Sequence, residues 1–336
     1  MKPRIRIVDS TLRDGSHSIS HQYTEEQVAA IARGLDQAGV DIIEISHGDG
    51  LGGSSIQYGF DRTPDEVKLR AASAVVKHSK IAVLLLPGVG TKEDLKAATE
   101  FNIRVARIAT HVTEANISEQ HIGLAKKMGM EVLCFLMMNH MADIDTMVGQ
   151  AKLMESYGAD AVYVVDSAGA LLPNEARDRV AALKAGLRIE VGFHAHNNLG
   201  LGVGNSLAAI EAGATLVDGS LRGMGGGAGN AMLEALVAVL QKANYETGVD
   251  LYKLMDVGEQ IVRPIMTRAQ EIDNASLTLG FAGVYSTFLL HTERAAKKYG
   301  LDARDILMEL GRRKAVGGQE DWIIDVAAEM AEQVGH

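Results

Sequence analysis

Short apolar runs alternate with longer amphipathic stretches along the first two thirds of the chain. Most runs are nearly continuous in Val, Ile and Leu, which is typical of parallel strands buried on both faces. The stretches between them carry helix signals: Thr24 with Gln27 at the capping-box position, Pro64 at a first helical position, and Gly39 or Gly158 at a helix end. The predicted strands are residues 5–9, 41–46, 80–86, 104–109, 131–137, 160–166, 188–194 and 215–219.

Eight strand–helix units of this kind predict an α/β fold, a (β/α)8 TIM barrel, whose typical length is roughly 250 residues. A doubly wound open sheet is the alternative. Polar residues directly after the predicted strand ends favour the barrel, because a closed barrel brings its first and seventh strands to one mouth. These residues are Asp14, His47, Asn139, Ser167, His196 and Arg222.

The alternation stops near residue 243, and only helical stretches follow. They are predicted at residues 250–271, 286–299, 302–312 and 319–333, with Gly317 and Gly318 separating the last two. We therefore expect a barrel domain at residues 1–245. A small all-helical C-terminal domain at residues 246–336 is expected to pack on it.

Composition argues against several kinds of partner. The net charge is -10 and the basic residues form no stripe, which argues against nucleic acid and anionic membrane.

No apolar run approaches the roughly 18 residues that span a bilayer, and residues 1–4 lead into a strand without an apolar signal region. The single cysteine, Cys134, excludes an internal disulfide, and its strand pattern predicts an inert core thiol. We expect a cytoplasmic protein.

The candidate chemistry begins after the first predicted strand, in residues 9–17, DSTLRDGSH. His194 and His196 lie at the end of the seventh strand, where alternation points both imidazoles to one face. With Asp14 from another strand end, they form three ligands of a divalent metal with positions open for substrate. Such a set suits Mn²⁺, Fe²⁺, Co²⁺, Mg²⁺ or Zn²⁺.

Arg13 and His17 lie beside this set. A metal and a guanidinium together stabilise the negative charge of an enolate, although a plain Arg13–Asp14 ion pair on the barrel rim explains the same residues. An imidazole is a natural proton carrier at neutral pH, so His17 is a candidate base. A hydrogen-bonded loop histidine is the alternative interpretation of His17.

Four further residues near the predicted mouth have two interpretations each. The hydroxyl of Ser167 holds a substrate carboxylate or stabilises a turn. Leu84 and Leu86 share one face of the third strand, so they either fill the barrel core or wall an apolar pocket. Tyr285 lies at a glycine-rich junction into a helix, where an ordinary packing role competes with a role at the site.

Two other features are expected to be structural. His47, at the end of the second strand, is interpreted as a support for its neighbours. The glycine-rich residues 222–230 follow the eighth strand, where phosphate sites often occur. They lack the dinucleotide-binding pattern, so a close-packed turn under the site is the favoured interpretation.

These motifs together resemble a known group of enzymes. Residues 9–15 are similar to the signature of the DRE-TIM metallolyase-like superfamily of pyruvate aldolases, acyl-CoA lyases and isopropylmalate-type synthases, which share a barrel and an enolate intermediate. Within it, the chain resembles the 4-hydroxy-2-oxovalerate aldolase family over essentially its whole length. The similar stretches are residues 12–23, 47–55, 84–88, 164–167, 194–196, 280–286 and 317–321.

The resemblance implies a reaction and a role for each residue of the set. It implies retro-aldol cleavage of 4-hydroxy-2-oxopentanoate to pyruvate and acetaldehyde through a metal-bound pyruvate enolate, in aromatic-compound degradation. Mn²⁺ is the usual metal, and Asp14, His194 and His196 match its ligands. Arg13 matches the residue that stabilises the enolate, and His17 matches the base that takes the C4 hydroxyl proton.

The resemblance also implies substrate contacts and a partner. Tyr285 matches a catalytic hydrogen-bonding residue, Ser167 a pyruvate contact, and Leu84 with Leu86 the lining of the aldehyde pocket. The implied substrate-binding set is Arg13, Asp14, Ser167, His194, Tyr285, Leu84 and Leu86. The usual partner is an acylating acetaldehyde dehydrogenase that receives its substrate by channelling, and the helical C-terminal domain matches the region used for that contact.

Two other functions stay open from the sequence. One is an acyl-CoA-dependent Claisen condensation or lyase reaction on the same barrel. The acyl-CoA lyases carry a cysteine in the glycine loop, and residues 223–229 have none. The other is a non-catalytic barrel that only stabilises a dehydrogenase partner.

Overall fold

Eight parallel strands close into a barrel in the computed structural model, which describes residues 4–334. The strands follow chain order around the barrel, and the eighth pairs with the first. Within the described residues they are β1 (Arg6–Asp9), β2 (Ile42–Glu44), β3 (Lys80–Leu85), β4 (Val105–His111), β5 (Glu131–Met137), β6 (Ala161–Asp166), β7 (Glu190–Ala195) and β8 (Leu216–Gly219). All eight predicted strands are present, so the barrel is confirmed and the open sheet is excluded.

Helices connect the strands on the outside of the barrel. They are α1 (Glu25–Ala38), α2 (Asp65–Ser73), α3 (Lys92–Ala98), α4 (Glu119–Lys127), α5 (Ile144–Tyr157), α6 (Pro173–Gly186), α7 (Gly202–Glu211) and α8 (Leu233–Lys242). The capping box of Thr24 and Gln27 starts α1 as predicted, and Gly39 and Gly158 end α1 and α5. Pro64 precedes α2 rather than starting it, because α2 begins at Asp65.

The apolar core has two layers around the strands. The larger layer lies between strands and helices and contains Cys134, whose thiol pKa is raised by burial, in agreement with an inert core cysteine. The smaller layer fills the barrel interior and includes Val8, Phe135, Tyr163 and Leu216. Side chains alternate between the two layers because successive residues of a strand point to opposite faces.

Helices follow the barrel, in two groups. The first, α9 (Leu251–Asp256), continues as a π-helical segment (Val257–Val262) whose apolar side chains belong to the barrel core. The second group has a core of its own and comprises α10 (Asn274–Ala282), α11 (Phe288–Tyr299), α12 (Ala303–Arg312) and α13 (Asp321–Val334). None of the helices in residues 4–334 is both long and apolar enough to span a bilayer.

The prediction of one helix over residues 250–271 is wrong at its C-terminal end, and α10 was not predicted. Helical structure from α9 stops at Val262, and α10 starts after Asp273, which caps it by accepting from the Ser276 N–H. The apolar residues of α10 itself are spread around the helix and form no single stripe. Its sequence therefore lacks the helical periodicity on which the prediction depended. The domain boundary at residues 245 and 246 stays a prediction.

Candidate active site

Asp14 and the two histidines of the seventh strand meet at the C-terminal end of the barrel. Asp14 starts a short 3₁₀ helix after β1, His194 lies on β7, and His196 follows its last residue. The Oδ2 atom of Asp14 is 3.8 Å from His194 Nε2 and 3.6 Å from His196 Nε2. All three side chains are buried, and their ligand atoms lie close enough together to bind one ion.

The protonation states of these groups fit a divalent cation. Burial alone would raise the pKa of Asp14, but the Arg13 guanidinium and the facing imidazoles outweigh it and hold that pKa well below its usual range. Burial lowers the pKa of His196 to about 4. Among the described residues, none donates a hydrogen bond to the buried Oδ1 of Asp14. An ionised carboxylate, a neutral imidazole and an unused buried oxygen are what a metal requires of its ligands.

A buried ionic network connects His194 to Arg13. Asp218 Oδ2 accepts from His194 Nδ1 at 2.8 Å, which directs the Nε2 lone pair of His194 into the site. Arg107 forms an ion pair with Asp218, and its Nη1 atom lies 2.8 Å from Glu44 Oε2. The same Glu44 oxygen accepts from Arg13 Nε at 2.9 Å. The orientations of Arg13 and His194 are therefore supported by one set of charges.

Three members of this network were not among the predicted site residues: Glu44, Arg107 and Asp218. They come from β2, β4 and β8, and all three are essentially inaccessible to solvent. Arg107 also lies over the Phe135 ring, 4.1 Å from its centroid. The available signal was a charged residue inside an apolar strand that is buried on both faces, where an unpaired charge is costly.

Replacing Asp218 with asparagine is expected to weaken divalent-metal binding by about 10- to 100-fold. The amide keeps the shape of the side chain but loses the charge that orients His194. Calorimetric titration with Mn²⁺ measures the affinity, and Asp145→Asn on the exposed face of α5 is the matched control. Unchanged affinity in Asp218→Asn would contradict the support of His194 by this carboxylate.

Arg13 is fixed before any substrate arrives. Its Nη1 donates to Asp14 Oδ2 at 2.7 Å and to the Gly48 carbonyl at 3.3 Å, in addition to the bond from Nε to Glu44. The predicted ion pair with Asp14 therefore exists, but it is buried rather than exposed on a rim. A guanidinium held in this way needs no reorganisation when charge develops beside it.

His17 is the outermost of three neighbouring histidines. The ring of His21 lies edge-on to it, with centroids 4.9 Å apart, and stacks on His47 at 4.0 Å. Burial lowers the pKa of His21 to about 2 and that of His47 to about 3, so both are neutral supports. His17 Nε2 lies 3.9 Å from Asp49 Oδ2, a carboxylate that was not among the predicted site residues.

A cavity opens beside these groups. All nine residues predicted for the site line it: Arg13, Asp14, His17, Leu84, Leu86, Ser167, His194, His196 and Tyr285. Three of the other strand-end residues, His47, Asn139 and Arg222, do not line it. The cavity has charged groups on one side, and its apolar side is extended by Phe135, Met137 and Val165.

Ser167 and Tyr285 each make a contact that bears on their two interpretations. Ser167 Oγ accepts from the Met138 N–H at 3.0 Å, as a turn-stabilising serine would, and its own hydrogen is left to donate. Tyr285 Oη lies 3.3 Å from Met137 Sδ. Burial raises the pKa of Tyr285, so its hydroxyl stays protonated and can donate at neutral pH.

The glycine-rich loop after β8 is packed tightly, as the sequence predicted. A Cβ atom on Gly229, whose φ is +84°, would overlap the Gly223 carbonyl oxygen. The N–H of Asn230 donates to that same carbonyl at 3.1 Å, and the N–H of Ala231 donates to Ala195 at 3.0 Å. The loop therefore connects the ends of β7 and β8, and its Gly226 lines the cavity.

Comparisons with known proteins show the family of the chain. Residues 4–261 match the HMGL-like family, and residues 270–332 match the DmpG-like communication domain. The chain is 62% identical to a 4-hydroxy-2-oxovalerate aldolase of Carboxydothermus hydrogenoformans, over 98% of each protein. It is 61% identical to another of Geobacillus stearothermophilus, over 99% of this chain and 97% of the relative.

Solved structures share the fold at lower identity. The carboxyl transferase domain from Rhizobium etli pyruvate carboxylase superposes with a TM-score of 0.84 and 18% identity. The match covers 98% of this chain and 60% of that one. At this identity the likeness shows the fold alone.

Proposed function

The chain belongs to the 4-hydroxy-2-oxovalerate aldolase family and is a carbon–carbon lyase, and we propose a role in the reaction for each residue of its site. The reaction cleaves 4-hydroxy-2-oxopentanoate to pyruvate and acetaldehyde. One observation carries the proposal: Asp14, His194 and His196 converge on one point, with Arg13 and His17 in the same cavity. The aldolase names of the relatives favour this activity over the acyl-CoA and non-catalytic alternatives.

We propose Mn²⁺ as the divalent metal, with Asp14, His194 and His196 as the residues that would hold it. One carboxylate and two imidazoles suit this ion among others, and the buried ionised carboxylate supports a cation here. When bound, the ion supplies Lewis-acid polarisation of the keto oxygen. The remaining chemistry is assigned to groups of the chain itself.

Arg13 stabilises the enolate oxygen of pyruvate. Its contacts with Asp14, Glu44 and Gly48 use Nε and Nη1, which leaves Nη2 to donate to the substrate. The substrate oxygen at C2 gains negative charge as the C3–C4 bond breaks. A fixed donor stabilises that charge more than the ground-state carbonyl, so it lowers the barrier.

His17 takes the proton from the C4 hydroxyl. As the C4–O bond becomes a carbonyl, the C3–C4 bond breaks and its electron pair passes into the enolate, releasing acetaldehyde. A proton from solvent then adds to C3 to give pyruvate, and His17 releases its proton to solvent. The Asp49 carboxylate oxygen, 3.9 Å from His17 Nε2, gives the ring an acidic neighbour. Tyr285 donates a hydrogen bond to the C4 oxygen and so helps to orient it.

The remaining wall of the cavity binds the two ends of the substrate. We assign the Ser167 hydroxyl to the pyruvate carboxylate, next to the charged groups. Leu84 and Leu86 form the pocket for the methyl end of the aldehyde, together with the apolar side chains of Phe135 and Met137. This division follows the polarity of the cavity, which is charged near Asp14 and apolar near β3 and β5.

Replacing His17 with alanine is expected to lower kcat by about 10²-fold at neutral pH, because a base in contact with the reacting hydroxyl is removed. Mn²⁺ affinity is expected to stay within about twofold of wild type, since His17 is not among the proposed ligands. A pyruvate-coupled assay and calorimetric titration measure the two quantities. Lost metal binding in His17→Ala would indicate that His17 is a metal ligand.

We propose an acylating acetaldehyde dehydrogenase as partner, with channelling of acetaldehyde, in cytoplasmic degradation of aromatic compounds. The match of residues 270–332 to a communication domain supports a partner contact in that region. Exposed apolar side chains there, Leu277 and Phe281 on α10, support it too, since Phe281 is 75% accessible. Co-purification with a co-expressed dehydrogenase tests the contact, and its absence in Phe281→Ser would locate it on α10.

The activity is tested directly with 4-hydroxy-2-oxopentanoate and Mn²⁺. Pyruvate and acetaldehyde should form in equal amounts, and a chelator should stop the reaction. Acetyl-CoA-dependent release of free thiol without pyruvate would instead favour the Claisen alternative. Dehydrogenase binding with no metal-dependent turnover would favour the non-catalytic alternative.

A further inference from the structure

Tyr285 enters the cavity from the helical region that follows the barrel, whereas the other proposed catalytic groups belong to the barrel itself. It lies between α10 and α11, two residues after Gly283, which ends α10 with a φ of +67°. The position of its hydroxyl therefore depends on the attachment of this turn to the barrel. Two sets of hydrogen bonds provide that attachment, one on each side of Tyr285.

The first attachment is a hydrogen bond from His140, in the loop after β5. Its Nε2 lies 3.1 Å from the Gly283 carbonyl oxygen, across 143 positions of the chain. A carbonyl only accepts, so Nε2 must carry the hydrogen. Burial lowers the pKa of His140, so the imidazole is neutral in this tautomer. A Cβ atom on Gly283 would stand 2.8 Å from Nε2, which shows how closely the ring fits this turn.

The second attachment holds Ser286, the residue after Tyr285. Ser286 Oγ donates to the Ser167 carbonyl at 2.9 Å and accepts from Asn198 Nδ2 at 2.9 Å. Asn198 also donates to the Ala168 carbonyl and accepts from the Ala228 N–H, each at 2.9 Å. Ser286 and Asn198 are both buried. Loops after β6, β7 and β8 are thus tied to the residue next to Tyr285.

The hydroxyl of Tyr285 is not itself held by a strong bond. Its contact at 3.3 Å is the thioether sulfur of Met137, a weak acceptor. The hydroxyl can therefore exchange this contact for a substrate oxygen at little cost. Its location before that exchange is set by the backbone of the turn, and hence by the two attachments.

We propose that His140 is a positioning residue for Tyr285, which it places at the substrate through its hydrogen bond to the Gly283 carbonyl. The inference rests on the proposed role of Tyr285 in catalysis. His140 does not line the cavity, so it acts only through the turn. Without this bond the Gly283 carbonyl loses its donor and the turn can shift, and a shift of about 1 Å at a reacting group can cost up to about 10²-fold in rate.

A double-mutant cycle distinguishes this role from simple support of the loop after β5. The variants are His140→Ala, Tyr285→Phe and the double variant, assayed for kcat, KM and preference between the two C4 enantiomers. Each single substitution is expected to lower kcat by about 10-fold and to reduce the enantiomer preference. The double variant is expected to match Tyr285→Phe, because His140 has nothing left to position.

Matched variants distinguish the effect of the His140 N–H donor from the effect of the volume of its imidazole ring. His140→Gln keeps an N–H that can reach the carbonyl and is expected to restore kcat to within about threefold of wild type. His140→Leu keeps bulk without a donor and is expected to behave like His140→Ala, which it replaces if alanine prevents folding. His121→Gln on α4, outside the site, is the control and should behave as wild type.

Each outcome of the cycle bears on a different claim. Additive losses in the double variant would overturn the positioning role, because His140 would then act independently of Tyr285. Wild-type kinetics in both His140→Ala and His140→Leu, with Tyr285→Phe impaired, would overturn it as well and leave the role of Tyr285 intact. Wild-type kinetics in Tyr285→Phe would overturn both the catalytic role of the tyrosine and the inference that depends on it.

Discussion

Replacing Arg13 with alanine is expected to lower kcat for cleavage of 4-hydroxy-2-oxopentanoate by about 10²- to 10³-fold. The guanidinium is buried and held by Asp14, Glu44 and Gly48, so it is oriented before charge appears on the substrate. Its loss removes a donor whose effect is largest when the enolate forms. The loss should therefore appear in kcat more than in KM.

Two further variants sharpen this measurement. Arg13→Lys keeps the positive charge but not the planar fork, and is expected to fall between wild type and Arg13→Ala. Arg33→Ala, on the exposed face of α1, is the control for removing an arginine. A decrease in kcat of less than about threefold in Arg13→Ala, with an unchanged melting temperature, would indicate that Arg13 is only a structural ion-pair partner.

Replacing Asp14 with asparagine is expected to weaken Mn²⁺ binding by more than about 10²-fold and to remove most activity at micromolar metal. The substitution keeps the shape of the side chain and removes the charge between His194 and His196. Millimolar Mn²⁺ should restore part of the activity, because the two imidazoles remain as ligands. Calorimetric titration and the pyruvate assay, both across a range of metal concentrations, measure the effect.

The control for this second experiment is Asp145→Asn, which removes an acidic residue from the surface of α5. Metal affinity within about twofold of wild type in Asp14→Asn would exclude the carboxylate from the ligand set. Loss of activity with unchanged metal affinity would assign Asp14 to the orientation of Arg13, its hydrogen-bond partner.

The barrel and its mouth were predictable because two simple rules apply to them. Buried parallel strands give continuous apolar runs, which located all eight strands. Alternation along a strand put His194 and His196 on one face, and the strand-end rule put Asp14 at the same mouth. The resemblance then supplied residues that no local pattern distinguishes, such as Leu84 and Tyr285.

The ionic network under the site was not predictable in the same way. Arg107 on β4 meets Asp218 on β8, 111 positions later, because barrel closure brings their side chains together in the interior. A charge inside an apolar strand indicates that a partner exists, but the choice of partner depends on register and side-chain direction. The link from His140 to Gly283 escapes prediction for the same reason, since it joins the barrel to a turn beside the unpredicted helix α10.

The proposed mechanism depends on one cation held by three side chains, and anomalous diffraction from crystals grown with Mn²⁺ tests this most directly. We expect a single strong peak at the barrel mouth, within roughly 2.0–2.6 Å of an Asp14 carboxylate oxygen and of Nε2 of His194 and His196. A peak elsewhere, or an Asp14 side chain turned away from the ion and the imidazoles, would contradict it.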